Sequence, residues 1–296
     1  MENTIKNRKV SPLNVVLFII LVLYVVVLVG LLLWGLLTSF KGVNDFTDHP
    51  YEFPEKWEFN LAKVTEKFVV RAEDANGVKS DIDIFGMFFY SITYALGCSF
   101  FYTLVQAITA YAASRFDFKF SKVIYAIVIV TMIIPLVGTL PSEVELAIKL
   151  GIYNKIYTLW IMKANFLGLY FLIFYNFFKG VPMSFTEAAK IDGASNFTVM
   201  TKVVFPLSLN TLGTVMLINF ITFWNDYQTP LLFMKGYPTV SYGLYTIAVA
   251  GTSTAELQNV PCRMAAAVLV FVPILIIFLC FQKRLLGSLT VGGVKG

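Results

Sequence analysis

Charge is scarce in this chain, and histidine nearly missing. Only 14% of its 296 residues are Asp, Glu, Lys or Arg, against about 25% in ordinary soluble domains, so the usual water-facing shell cannot be built. The single histidine, His49, argues against a His-based metal site and leaves a Ser-His catalytic pair without support. The three cysteines, Cys98, Cys262 and Cys280, stand far apart with no metal-ligand spacing, two of them inside apolar runs, and read as packing residues. No Gly-x4-Gly-Lys-Ser/Thr loop occurs, so ATP chemistry, if any, belongs to another polypeptide. A net charge of +5 is spread over the edges of apolar segments without a basic run, which argues against nucleic acid as a partner. Neither an internal repeat nor a low-complexity tract is present.

What the chain has is long apolar runs. A spanning helix needs about 20 mostly apolar residues, and six stretches meet or approach that: roughly 13–37, 84–113, 121–140, 157–178, 207–228 and 264–282. The first follows Lys6, Arg8 and Lys9 but is too long for a signal-peptide core and has no small-x-small cleavage site after it, so it reads as a retained first span. Basic residues at the inner ends (Lys6, Arg8, Lys9, Arg115, Lys119, Lys122, Lys179, Lys190, Lys202, Lys283, Arg284, Lys295) fit both termini inside. By count they are matched by the rest, but Lys41, Lys56, Lys63, Lys67, Arg71 and Lys79 share one long polar loop, Thr38 to Asp83, with Pro50, Pro54, Asn76 and Gly77 as turn signals. The segment from Pro230 to Pro261, interrupted by Gly236, Pro238, Gly243 and Gly251, reads as an external re-entrant or surface loop.

Between the fourth and fifth runs lies TEAAKIDGASNFTVMTKVVFP, residues 186–206, carrying Glu187, Lys190, Asp192 and Lys202. Ser184 and Glu187 have capping-box spacing, and Gly193 can supply a left-handed close. The spacing predicts two helical turns from Phe185 to Asp192, then a second start at Ser195 or Asn196 leading to Pro206. A helix this short is marginal alone, so something packs on it. Its apolar pairs, Phe185 with Ala189 and Ala188 with Ile191, are small enough for close approach.

Polar side chains inside spans invite a functional reading because they are costly there. In the fifth run Asn219, Thr222, Phe223 and Asp226 share one helical face, with Trp224 and Gln228 on a neighbouring one. Amides, a carboxylate and aromatic faces suit a hydroxyl-rich solute. Equally, Asp226 can bond the loop after Pro230 at the membrane edge, with Trp224 in an interfacial belt. In the second run Tyr90, Tyr94, Gly97 and Phe101 follow helical spacing, with Gln106 beyond, and Gly97 reads as a packing position.

The stretch 186–206 resembles the Glu-Ala-Ala loop of permease subunits of ATP-binding-cassette importers: Glu187, Ala188, Ala189, then Gly193, then Phe205-Pro206. AYAASRFDFKF (110–120), TMIIP (131–135), LGIYN (150–154), FWNDY (223–227), FPEKWEF (53–59) and the terminal GGVKG are each similar to segments of the sugar-importer branch, in order, closest to the maltose-transporter (MalG-like) type. Ser142-Glu143 and Pro261-Cys262-Arg263 depart from that pattern. The resemblance implies an all-α membrane protein of the type I importer (MetI-like) fold: a cytoplasmic segment 1–12, a first transmembrane helix 13–37, an extracytoplasmic loop 38–83, a permease core 84–285 with a coupling helix at 184–193, and a cytoplasmic tail 286–296. It also implies a non-catalytic subunit of the cell membrane. Its expected partners are a second, MalF-like permease, two copies of an ATP-binding subunit holding Mg-ATP, and an extracytoplasmic protein delivering a di- or oligosaccharide. Glu187, Ala188, Ala189, Asp192, Gly193 and Pro206 are then the coupling residues, and Asn219, Thr222, Phe223, Trp224, Asp226 and Tyr94 the candidate translocation path. The alternative, an ion-coupled secondary transporter, calls for broken helices and repeated halves.

Overall fold

A computed structural model describes residues 11–74, 77–116, 118–134, 138–250 and 255–289. It divides into two compact units, one of residues up to Lys67 with 254–269, the other of 68–253 with 270 onward.

In the first unit, helix α1 (Pro12–Thr38) begins with proline at its first helical position, where the missing N–H is no loss. Leucines, valines and isoleucines are exposed around its whole circumference from Leu13 to Leu33, as befits a helix whose solvent is lipid. Its 27 residues extend about 40 Å, more than the roughly 30 Å of a hydrocarbon core. The stretch after it, expected as loop, carries two short helices, α2 (Val43–Asp48) and α3 (Asn60–Lys67). Buried polar groups order it. The Asn60 amide donates to the carbonyls of Ser39 (3.1 Å) and Lys41 (2.7 Å), Trp34 donates to the Pro50 carbonyl at 2.9 Å, and the buried Lys41 ammonium donates to the His49 carbonyl. Lys67 pairs with Glu256; that hydrogen bond and charge hold the Glu256 carboxyl below its ordinary value and the Lys67 ammonium above.

The second unit opens with an antiparallel hairpin, β1 (Val70–Glu73) on β2 (Lys79–Ile82), in the register Val70↔Ile82 to Glu73↔Lys79. Helix α4 (Ile84–Arg115) follows, capped by Asp83, whose carboxylate accepts from the Gly86 N–H at 2.9 Å. The chain continues through α5 (Ser121–Ile133), α6 (Leu140–Lys149), α7 (Ile156–Met162), α8 (Leu169–Gly180), α9 (Met183–Ile191), α10 (Asn196–Val199), α11 (Phe205–Leu207), α12 (Leu209–Asn225), α13 (Gln228–Phe233) and α14 (Val240–Tyr245), and ends in α15 (Val260–Leu289), which belongs to both units. Helix α4 is the hub, packing against α5, α7, α8, α12 and α14. Its small residues permit this. At Gly97 an added Cβ would stand 2.1–2.5 Å from the Trp160 indole, so this glycine is a packing position.

Three of the six expected spans are single helices long and apolar enough to cross: α1, α4 and Val260–Gln282 of α15. The fifth is a bent pair, Asn196–Leu207 and Leu209–Asn225, turning by 77°. The third, expected over 121–140, shows as the 13-residue α5; residues 135–137 of it lie outside the described residues, and Leu140 already starts α6. The fourth is interrupted between α7 and α8, because Lys163, Asn165 and Gly168 stand inside the apolar run. Gly168 adopts φ +118, a region almost confined to glycine. The Leu167 carbonyl freed by the interruption accepts from Tyr102 (3.1 Å) and Gln106 (2.9 Å). Within the 230–261 segment, expected as a re-entrant or surface loop, the described residues hold the end of α13, all of α14 and a π turn, Thr246–Ala250. Buried Asn154 (φ 57) secures it: its side chain donates to the Glu73 carbonyl and accepts from the Gly236 N–H, both at 2.8 Å, while its own N–H donates to the Phe233 carbonyl at 2.9 Å. The N-terminal segment through residue 10, Asn76, and the tail from 290 lie outside the described residues.

Candidate functional site: the charged segment and the polar spans

Helix α9 is real but starts differently from the capping-box expectation. Pro182 is its N-cap, with φ −55, and no side-chain cap bond forms. Proline fixes the backbone two residues early, so Ser184 lies inside the helix and Glu187 in its second turn. The close is as expected. Gly193 has φ +80; its N–H donates to the Lys190 carbonyl (3.0 Å) and the Ala194 N–H to the Ala189 carbonyl (2.9 Å), the paired bonds of a Schellman close. The chain restarts at Ser195, whose hydroxyl accepts from the Thr198 N–H at 3.1 Å.

The two faces of α9 differ. Ala189, with Ala194 after the close, packs against an aromatic cluster at the end of α4 and α8. There Phe178 and Phe205 stack at 5.9 Å and 9°, and Tyr111 meets both edge-on. Opposite Ala189, Ile191 is exposed by 86%, Met183 and Phe185 are exposed at the flanks, and Phe197 beyond the close is exposed by 70%. Pro206 has no N–H and its ring crowds the Lys202 carbonyl, and the backbone before it widens into a π turn, Met200–Val204. The 77° bend then falls at Ser208, which satisfies the Phe205 carbonyl through both N–H and hydroxyl at 2.9 Å.

Of the six path candidates, the structure brings Tyr94, Phe223 and Asp226 together. The fully buried Tyr94 donates to Asp226 Oδ2 at 2.8 Å, and Asp226 Oδ1 accepts from the Thr229 N–H at 3.0 Å, pinning the start of α13 to α4. Phe223 sits edge-on to Tyr94 and Tyr102. Asn219 and Trp224 are spent on packing: buried Asn219 donates to Thr103 at 2.9 Å, and the Trp224 indole to the Val270 carbonyl at 3.2 Å. Thr222 lies on the open side with Asn225, Tyr227 and Gln228. Asp226 is past the end of α12 in extended backbone, so it leaves the face it was expected to share with Asn219. Among the described residues no group of three or more His, Cys, Asp or Glu could hold a metal.

Two participants were not singled out from sequence as functional. Arg115, read there only as an inner positive charge, donates to the Val181 carbonyl at 2.7 Å and stands 2.8 Å from Met183 Sδ. Tyr227 stacks on Tyr245 at 4.6 Å and 13°. The first had a signal, a lone arginine ending an apolar helix; the second depends on a contact between residues 18 positions apart and had none.

Residues 107–290 match the family described as binding-protein-dependent transport system inner membrane component. Among curated proteins, the chain is 24% identical over 277 residues to the diacetylchitobiose uptake system permease of Streptomyces coelicolor, covering 92% of this chain and 86% of the relative. It is 29% identical to the melibiose/raffinose/stachyose import permease of Bacillus subtilis (64% and 68% covered) and 32% identical to the trehalose/maltose permease of Thermococcus litoralis (65% and 69% covered). A crystal structure of a bacterial ABC transporter involved in import of the acidic polysaccharide alginate shares the fold, with TM-score 0.76, 20% identity, and 94% and 99% of the two chains covered. The chain therefore belongs to the inner membrane components of binding-protein-dependent transport systems, a multi-pass permease of an ABC importer and a transport subunit rather than a catalytic one.

Proposed function

We propose that this permease imports a di- or oligosaccharide delivered by an extracytoplasmic binding protein, driven by two ATP-binding subunits that carry the Mg-ATP. The glycosidic substrates named for the relatives support the substrate class. The observation that carries the mechanism is the outward face of α9. A nine-residue helix is not stable by itself, and here Ala189 is held from within while Ile191 stands uncovered on the opposite side, with Met183 and Phe185 exposed at its flanks. That face is the seat for an ATP-binding subunit, with Glu187, Lys190 and Asp192 at its rim. Displacement of α9 passes through the Phe178–Phe205–Tyr111 cluster into α4 and α8, and through the bend at Pro206–Ser208 into α12.

On this reading the chain spans the membrane six times, α7 and α8 together forming the fourth span, with both termini cytoplasmic. A groove of about 500 Å³ between α4 and α12, lined by Phe100, Leu104, Leu209, Gly213 and Met216, offers a seat for the second permease. Thr222, Asn225, Tyr227 and Gln228 face the sugar, while Asp226, Tyr94 and Phe223 hold the end of α12 in place, and Asn219 and Trp224 support them from behind. The test is assembly. Ile191→Glu, which places a charge in the proposed seat, is expected to strip the ATP-binding subunits from the purified complex while the chain stays in the membrane; full retention of those subunits would overturn the seat.

A further inference from the structure

We infer that Arg115 is a positioning residue, a polar fastening between the last turn of α4 and the head of α9. This deepens the coupling reading of α9 and rests on it. Covalently α9 follows α8, through Val181 and Pro182. Arg115 adds a second attachment, to a different helix: Nη2 donates to the Val181 carbonyl at 2.7 Å and Nη1 lies 2.8 Å from Met183 Sδ, so its two arms straddle Pro182. The Val181 carbonyl is at the C-cap of α8, where a cation is favoured by the helix dipole. The planar fork is what allows both ends of the turn to be held at once; an ammonium has no such fixed geometry. The Nε of Arg115 is buried without a partner, a cost that a side chain needed only for solubility would avoid by turning outward.

The fastening matters because the inward packing of α9 through Ala189 is apolar. Ala189 and Ala194 against aromatic rings transmit compression but can slide, since apolar packing is non-directional. The hydrogen bond from Arg115 to the Val181 carbonyl, with the weaker contact to Met183 Sδ beside it, resists sliding and separation, because hydrogen bonds weaken steeply off axis. Helix α4 has 32 residues, about 48 Å, and near its far end Tyr94 holds Asp226. A pull on the head of α9 is thereby delivered to the helix that anchors the end of α12.

The experiment uses the complete importer in proteoliposomes, with Cys98, Cys262 and Cys280 replaced by Ala and a bimane fluorophore on Phe85→Cys, an exposed position at the far end of α4. Emission is read before and after ATP with vanadate, together with ATP hydrolysis and subunit content. With Arg115 intact the emission shifts. Arg115→Met keeps the apolar stem and removes the donors; it is expected to retain subunits and hydrolysis while the shift falls several-fold, and Arg115→Lys to recover part of it. An undiminished shift in Arg115→Met overturns the fastening. Should Arg115→Met lose its subunits, Arg115→Lys decides: regained subunits with a partial shift support the fastening, and any other result defeats it. Ile191→Glu is run alongside. If it leaves the ATP-binding subunits bound and the shift intact, the coupling reading of α9 has failed as a whole; if it abolishes both while Arg115→Met is normal, only the fastening has failed.

Discussion

Gly97 and Gly193 are both glycines by necessity, for opposite reasons. Around Gly193 nothing lies within 4 Å of an added Cβ, but φ is +80, so the strain is in the backbone alone: Gly193→Ala should cost about 1–2 kcal/mol, and Gly193→Val more because a branched Cβ tolerates positive φ least. Gly193→Val is expected to leave the chain in the membrane yet lower the sugar moved per ATP hydrolysed in reconstituted complexes. At Gly97 the backbone is ordinary helix and the obstacle is Trp160; Gly97→Leu should cost about 1–3 kcal/mol or more through overpacking, lowering the melting temperature of the purified complex. Asp226 accepts from two donors, Tyr94 and the Thr229 N–H, which makes its losses non-additive. Tyr94→Phe should cost about 1.5–3 kcal/mol, as expected for a bond to a charged group, Asp226→Ala more, and Tyr94→Phe added to Asp226→Ala almost nothing further. Additive shifts in thermal unfolding would mean the two do not form one unit.

At the scale of the element, the segment from α9 to α12 shows how a local signature can be overruled. Ser184 and Glu187 have capping-box spacing, but Pro182 starts the helix first and no cap bond forms, whereas Ser195, a plainer candidate, does cap. Ser184→Ala should therefore be nearly neutral, within about 0.5 kcal/mol, while Ser195→Ala should cost about 1 kcal/mol. Hydrogen exchange across 184–199 separates them: faster exchange after Ser195→Ala only is the expected pattern, and equal acceleration in both variants would restore the capping box. Gly193 was readable because a positive-φ helix close follows from the residue type itself. The break between α7 and α8 was not, since residues 157–178 are apolar enough on average to hide Lys163, Asn165 and Gly168 within one span.

For the whole molecule, the proposed topology rests on the basic residues at the ends of the apolar runs. Single cysteines at Ser80 in β2 and at Asn196 in α10, in the background without native cysteines, should label from opposite faces with an impermeant thiol reagent; labelling from one face contradicts the six-span arrangement. By itself the sequence determined the class of molecule, because scarce charge and long apolar runs leave only a membrane-embedded helical chain, and it determined where the charged segment with its Gly193 close would lie. Tertiary structure alone decided which polar residues are spent internally. Asn219, Trp224 and Asp226 share one stretch of sequence, yet Thr103, Val270 and Tyr94 claim them from other helices. It also decided that Arg115 reaches across to Val181. Partners tens of residues away are chosen by packing, and helical periodicity says which way a side chain points without saying what will be there to meet it.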